Sequence, residues 1–200
     1  CSLSISTAKD DAAFNMVSTC SYGASQDITR IKEAWFEKEK ELKKIETNKD
    51  DIEFIKKDWL LLEAKRIILQ DSFDFIVETV GVYDNFKLIE NAAIILMKNL
   101  KKLTVTLQNN SELIKLSTNT INNSYDIILE GEDYTLGKVI EFIMYDKYFV
   151  KSKDLTYCGF NKPHPHLDYS ILRLAFSELV DNSTINTFIQ NAANDGIVVF

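Results

Sequence analysis

One succession of elements occurs twice in this chain. Residues 72–80 alternate, with Phe73, Phe75, Val77 and Thr79 on one face and Asp74, Ile76 and Glu78 on the other, the period of a strand with one apolar side. Gly81 breaks the alternation, as a turn needing a permissive backbone would. Asp84 or Asn85 is placed to cap a helix predicted over 86–102. Residues 168–177 repeat the pattern, with Ser170, Leu172, Leu174 and Phe176 on a face opposite Arg173. A cap at Ser183 or nearby then opens a helix over 184–195, where Ile185, Phe188, Ile189 and Ala192 recur at i, i+3, i+4 and i+7 before Gly196 closes it. The chain therefore reads as α+β, built from two related strand-plus-helix units.

Both units leave apolar surface over. In the 86–102 helix, Ile89, Ala93, Ile94, Leu96, Met97 and Leu100, with Phe86, Leu88, Ala92 and Ile95, cover well over half the circumference. A helix lying on a single sheet needs a narrower arc, so this one is expected to be covered on two sides. A third helix over 136–145 is equally broad, with Leu136, Val139, Ile140, Phe142, Ile143 and Met144. The simplest consequence is that the units pack helices together with their sheets outside.

The remaining segments are plainer. Residues 12–22 place Phe14, Met16, Ser18, Cys20 and Tyr22 at period two, a half-buried strand. Residues 27–46 are charged throughout, with a thin stripe of Ile31, Trp35, Leu42 and Ile45 and an i,i+4 pair of Glu39 with Lys43. This segment and residues 51–69 read as solvated helices. Lys98, Lys101 and Lys102 suit the end of the 86–102 helix, and residues 103–108 (LTVTLQ) read as a strand. Residues 109–123 are a polar loop with one short strand. Strands are expected at 125–130 and 155–160, with a turn at 131–133 and Thr135 as the cap of the 136–145 helix.

Composition narrows the function. A net charge of −7, with only Arg30, Arg66 and Arg173 as arginines, argues against a phosphate-backbone binder. Cys1, Cys20 and Cys158 form no CxxC pair and no disulfide framework, and read as reduced thiols in a cytosolic-type compartment. The longest apolar run, residues 92–97, stops at Lys98, far short of a membrane span. No signal peptide is visible, and the start at Cys1 instead of Met reads as a fragment or a processed product.

Lys162-Pro163-His164-Pro165-His166-Leu167-Asp168 holds both histidines and both prolines of the chain. His164, His166 and Asp168 could in principle ligate a metal. Alternating prolines favour an extended backbone that keeps those side chains from converging, so a rigid connector at a strand edge is the preferred reading. Glu130, Glu132 and Asp133 read as turn chemistry, and Cys158 as a small core residue with no base beside it. There is no Gly-rich phosphate loop, no GxSxG and no HExxH. No catalytic constellation and no cofactor site emerge.

Residues 131–176 are more specific. GEDYTLGKVI, followed by YCGFNKPHPHLDYSILRL, resembles the signature of the α-like RNA polymerase assembly subunits, of the eleventh-largest-subunit type of polymerase II. Glu132, Asp133, Thr135, Leu136, Gly137, Gly159, Pro163, His164 and Pro165 match that pattern, while Tyr134 stands where His is usual and Lys138 where Asn is usual. AAFNMVSTCSYG and DSFDFIVETVGVYDNFKLIENAAIIL are similar to the third-largest-subunit type, with Thr79 in place of the usual Ser. Both types on one chain resemble the fused subunit of large DNA viruses of eukaryotes, lacking here the first dimerisation helix and insertion region.

The resemblance implies a non-catalytic scaffold. It implies a third-subunit-like portion over 1–108, a linker over 109–123 and an eleventh-subunit-like domain over 124–200, joined helix to helix as a pseudo-dimer. Ile89, Ala93, Ile94, Leu96, Met97, Leu100, Leu136, Val139, Ile140, Ile143, Ile185, Phe188, Ile189 and Ala192 would form the joining faces. The implied partners are the largest and second-largest polymerase subunits and small polymerase subunits, with no direct nucleic-acid contact and no membrane. The implied location is intracellular: a viral factory, virion or host cytoplasm if viral, the nucleus if cellular. A generic interaction module and a metal-binding protein centred on His164 and His166 are the alternatives.

Overall fold

The structure, a computed structural model, describes residues 3–45, 48–118 and 120–200. Cys1, the helix end expected at Glu46, and residue 119 of the 109–123 loop lie outside the described residues. The fold is α+β, with five α-helices and two antiparallel sheets, of two and four strands, among the described residues. The chain divides into two compact units, Cys1–Leu88 and Ile89–Phe200.

The first unit is a two-stranded ribbon carrying a helical hairpin between its strands. Strand β1 (Val17–Gln26) starts later than expected, because Asp11 accepts a hydrogen bond from Ala13 N and turns Ala12–Phe14 into a single 3-10 turn. It pairs with β2 (Ile68–Thr79), placing Cys20 opposite Val77, Tyr22 opposite Phe75 and Ala24 opposite Phe73. Helix α1 (Ile28–Lys44) is capped by Asp27, which accepts from Arg30 N at 3.0 Å. Helix α2 (Lys49–Leu61) follows, shorter than the periodicity suggested. A 3-10 turn at Ala64–Arg66 buries Ala64 and redirects the chain into β2, so residues 62–69 do not continue the α-helix. The hairpin has its own small core of Ile31, Trp35, Trp59 and Ala64, the two indole rings 5.6 Å apart. Glu39 and Lys43 pair at 2.6 Å as their spacing predicts, and Ile45 is exposed.

The second unit holds the larger core. Strands β3 (Ile114–Leu116), β4 (Ser124–Glu130), β5 (Leu155–Asn161) and β6 (Tyr169–Phe176) form an antiparallel sheet in the order β3-β4-β6-β5. One face carries Ile127, Leu129, Leu172, Leu174 and Phe176, all buried, as the alternation at 168–177 requires. The other carries the in-register row of Lys115, Asp126 and Arg173. Asp126 and Arg173 form a two-pronged ion pair at 2.6 and 2.8 Å.

Three helices supply the rest of this core. Helix α3 (Asn85–Asn109) does not stop at Lys102. The residues expected to form a strand at 103–108 continue it, because Leu100, Leu103 and Leu107 lie on one helical face and all three are buried. Lys98, Lys101 and Lys102 therefore sit within the helix and not at its dipole end. That end is met by Asn186, whose Nδ2 donates to Leu107 O at 3.4 Å, while Asn182 Nδ2 donates at 3.4 Å to Ser111 O in the 3-10 turn that follows. Helix α4 (Tyr134–Met144) is capped by Asp133 and not Thr135, since the carboxylate accepts from Thr135 N at 3.1 Å. It runs on as a π-helical turn over Tyr145–Lys151, where Tyr148 is buried against Phe188. Helix α5 (Asn182–Val199) is capped by Asp181, not Ser183, and passes through Gly196 without ending. That glycine is buried, and a Cβ there would come within 3.0 Å of Ile143 Cδ1 and Leu100 Cδ1. Its role is close helix approach.

The 109–123 segment, expected as a linker or loop with one short strand, supplies that strand as β3 and also buries Leu113 and Ile114 in the second unit. The division between units falls instead at Leu88 and Ile89, in the first turn of α3.

Candidate functional site: the turn before α4 and the apolar helix faces

The 131–168 residues singled out by sequence come together around the start of α4. Gly131 takes a positive φ of 69°, which lets β4 turn sharply out of the sheet. Its N–H donates to Asp168 O at 2.8 Å, and Ser170 Oγ donates to Glu132 O at 3.0 Å, tying the turn to the start of β6. Asp133 caps the helix, and Leu136, at 1% exposure, enters the core. Gly137 is buried directly under Phe160: a Cβ there would lie 1.9 Å from the ring. Phe160 also meets Tyr134 edge-on at 5.5 Å, so the tyrosine adds an aromatic wall. Glu141 accepts from Phe160 N at 3.0 Å and pairs with Lys138 at 2.5 Å, covering an otherwise open backbone donor of β5. Thr135 is exposed.

Pro163, His164 and Pro165 form an exposed connector between β5 and β6. His164 Nδ1 accepts from His166 N at 3.1 Å, and the two rings meet edge-on at 5.0 Å. Among the described residues no group of three or more His, Cys, Asp or Glu is arranged to hold a metal ion. Cys158 lies 3.8 Å from Glu141 O, and burial, reinforced by the Glu141 charge, pushes its thiol up to about 12. Such a thiol is a poor nucleophile. Cys20 is exposed on β1.

The fourteen apolar positions expected to join the two halves separate into distinct environments. Leu100, Leu136, Ile140, Ile185, Ile189 and Ala192 are buried within the second unit's own core. Ile143 and Phe188 are half-buried against that core, and Val139 is half-buried. Ala93, Ile94, Leu96 and Met97 are half-buried on α3, and Ile89 is 56% exposed. The surplus apolar surface thus concentrates on the first half of α3, with Phe86 at 86% exposure.

Two features were missed by sequence reasoning. One is the open groove of about 700 Å³ on the outer sheet face, lined by Lys115, Asp126, Ile128, Glu130 and Ile171. The other is the exposed aromatic face of the ribbon, where Tyr22 stacks on Phe75 at 5.6 Å and meets Phe73 edge-on at 5.9 Å. Strand alternation signalled both faces, but not that either stays open. No helix of the described residues is long and apolar enough to cross a membrane. No known family model matches the chain, and no curated protein matches it in sequence.

Proposed function

We propose that this chain is a non-catalytic assembly subunit of a multisubunit DNA-directed RNA polymerase, a platform for the two large catalytic subunits in transcription. The observation that carries the reading is the convergence of the motif residues into one packed unit. Asp133 caps α4, Gly137 admits Phe160, and the Pro-His-Pro connector joins the paired strands β5 and β6. Each residue of the resemblance that the fold uses has a packing or capping role, as a scaffold requires. The open apolar positions on the first half of α3 add support, since contiguous apolar surface marks protein–protein contact.

The partners under this reading are the largest and second-largest polymerase subunits together with small polymerase subunits. Affinity purification of the tagged protein from its native source, with mass spectrometry of stoichiometric partners, tests it. Two very large polymerase subunits in constant ratio are expected. Recovery of the chain alone, or with bound metal, overturns the reading.

A further inference from the structure

The α1–α2 hairpin lies between the two segments that resemble the third-largest polymerase subunit, and the proposed function makes no use of it. It holds both tryptophans of the chain, Trp35 and Trp59, and its charges sort by row. Along α1, Lys32, Phe36, Lys40 and Lys44 recur every four residues and so share one side of the helix. Glu33, Glu37 and Glu41 form the neighbouring row. Lys40 Nζ lies 4.0 Å from the centre of the Phe36 ring.

Two adjoining grooves open between α1 and α2, of about 270 and 260 Å³, and both are lined by Trp35, Glu39 and Lys56. Together they are bordered by four lysines, Lys32, Lys43, Lys49 and Lys56, and two glutamates, Glu39 and Glu53. Each glutamate is already paired, Glu39 with Lys43 at 2.6 Å and Glu53 with Lys57 at 3.0 Å. Lys32 and Lys49 have no carboxylate partner among the described residues. The charge left over in the grooves is therefore positive, on a chain whose net charge is −7.

The floor of the grooves is apolar and holds one unmet polar group. Trp35 is buried, and its Nε1 has no hydrogen-bond partner. A buried donor in that state is uncommon and wants an acceptor. Phe36 and Leu60 stand exposed along one groove, and Ile52 is half-buried in the other. A phosphate backbone would bring only negative charge past Glu39 and Glu53, whereas a peptide can pass them with apolar residues. The stretch of α1 from Lys32 to Lys43 is about 16 Å long, which a helical segment of about a dozen residues spans.

We infer that the grooves of the α1–α2 hairpin dock an acidic, apolar-bearing peptide segment of a partner protein. Its apolar side chains enter beside Trp35, and its Asp and Glu pair with Lys32, Lys49 and Lys56. The inference does not rest on the polymerase reading, since the hairpin carries none of that resemblance.

The probe is a displayed library of random peptides, each about sixteen residues long and free of tryptophan, selected on the full chain. Enriched peptides should interleave Asp and Glu with Leu, Ile or Phe. Made synthetically, they should shift the emission of Trp35 and Trp59, the only tryptophans present. Lys32→Glu with Lys49→Glu should weaken binding about tenfold or more, with unchanged melting by circular dichroism. Lys32→Gln with Lys49→Gln should fall between that variant and the parent, and Lys65→Glu, outside both grooves, should leave binding unchanged. Replacing the peptide's acids by lysine should restore binding to the double glutamate variant. Enrichment of neutral or basic peptides, indifference to the lysine reversals, binding without an emission change, or no enrichment at all overturns the inference. So does an oligouridylate that binds as tightly with the same lysine dependence, which would make the grooves a nucleic-acid site.

Discussion

Gly137 is the residue where chemistry and packing conflict most directly. Alanine is the better helix former by about 1 kcal/mol, yet its Cβ would occupy space taken by the Phe160 ring. Overpacking of this kind costs about 1–3 kcal/mol, so Gly137→Ala should lower stability, and Phe160→Leu should restore part of it; urea denaturation of the single and double variants checks this. Asp181 offers a titration test. Hydrogen bonds from Ser183 Oγ, Thr184 Oγ1 and Thr184 N hold its carboxyl at about 2, below its ordinary 3.8. A depressed folded-state value means the stabilisation is complete above 3.8 and is lost as pH falls toward 2. Acid unfolding followed by circular dichroism should therefore show Asp181→Ala and the parent converging across that window, with the parent more stable above it. Cys158 gives a third reading at this scale. With its thiol pushed up to about 12, it should resist iodoacetamide at pH 8 in the folded chain, while the exposed Cys20 alkylates. Mass spectrometry of the labelled protein distinguishes the two.

At the scale of elements, α3 shows how burial overrides local preference. LTVTLQ carries three consecutive β-branched residues, Thr104, Val105 and Thr106, and reads as a strand, but Leu103 and Leu107 continue the row begun by Leu100. Burying a leucine contributes about 1.5–3 kcal/mol, more than the few tenths per residue that helix propensity withholds from Val and Thr. Leu107→Ala should cost about 2–5 kcal/mol and speed amide exchange over the last turn of α3 while leaving α1 and α2 unchanged. Equal loss in the α1–α2 hairpin would show that the two units unfold as one. The helix starts were legible to within two residues, because Asp and Ser near an apolar run signal a cap. Which hydroxyl or carboxylate did the capping was not, since Asp133 and Asp181 each have a competing hydroxyl close by.

At the scale of the whole molecule, the scaffold reading predicts that charge on the open stretch of α3 blocks assembly without unfolding the chain. Ile94 is half-buried there, whereas Ile143 packs on the second unit's own core beside Gly196. Ile143→Asp therefore buries a charge inside the unit and should unfold it, a cost of at least about 3 kcal/mol. Ile89→Asp and Ile94→Asp should keep near-native melting and lose partner recovery. Assembly of the Ile94→Asp chain at parent yield would remove α3 from the interface.

The α+β class, both strand–turn–helix successions and the motif turn were all readable from residue order. Each rests on local rules: period two or 3.6, a turn glycine, a capping side chain. Residue order did not reveal the continuation of α3, the burial of Leu113 and Ile114, or the helix crossing at Gly196. It also left unsettled which apolar faces are filled from within. Leu136, Ile140 and Ile189 look as available in sequence as Ile89 and Phe86, yet the first three are sealed in the second unit and the last two are open. Apolar character states only that a side chain leaves water favourably. Which neighbour it leaves water against depends on contacts between residues far apart in the chain.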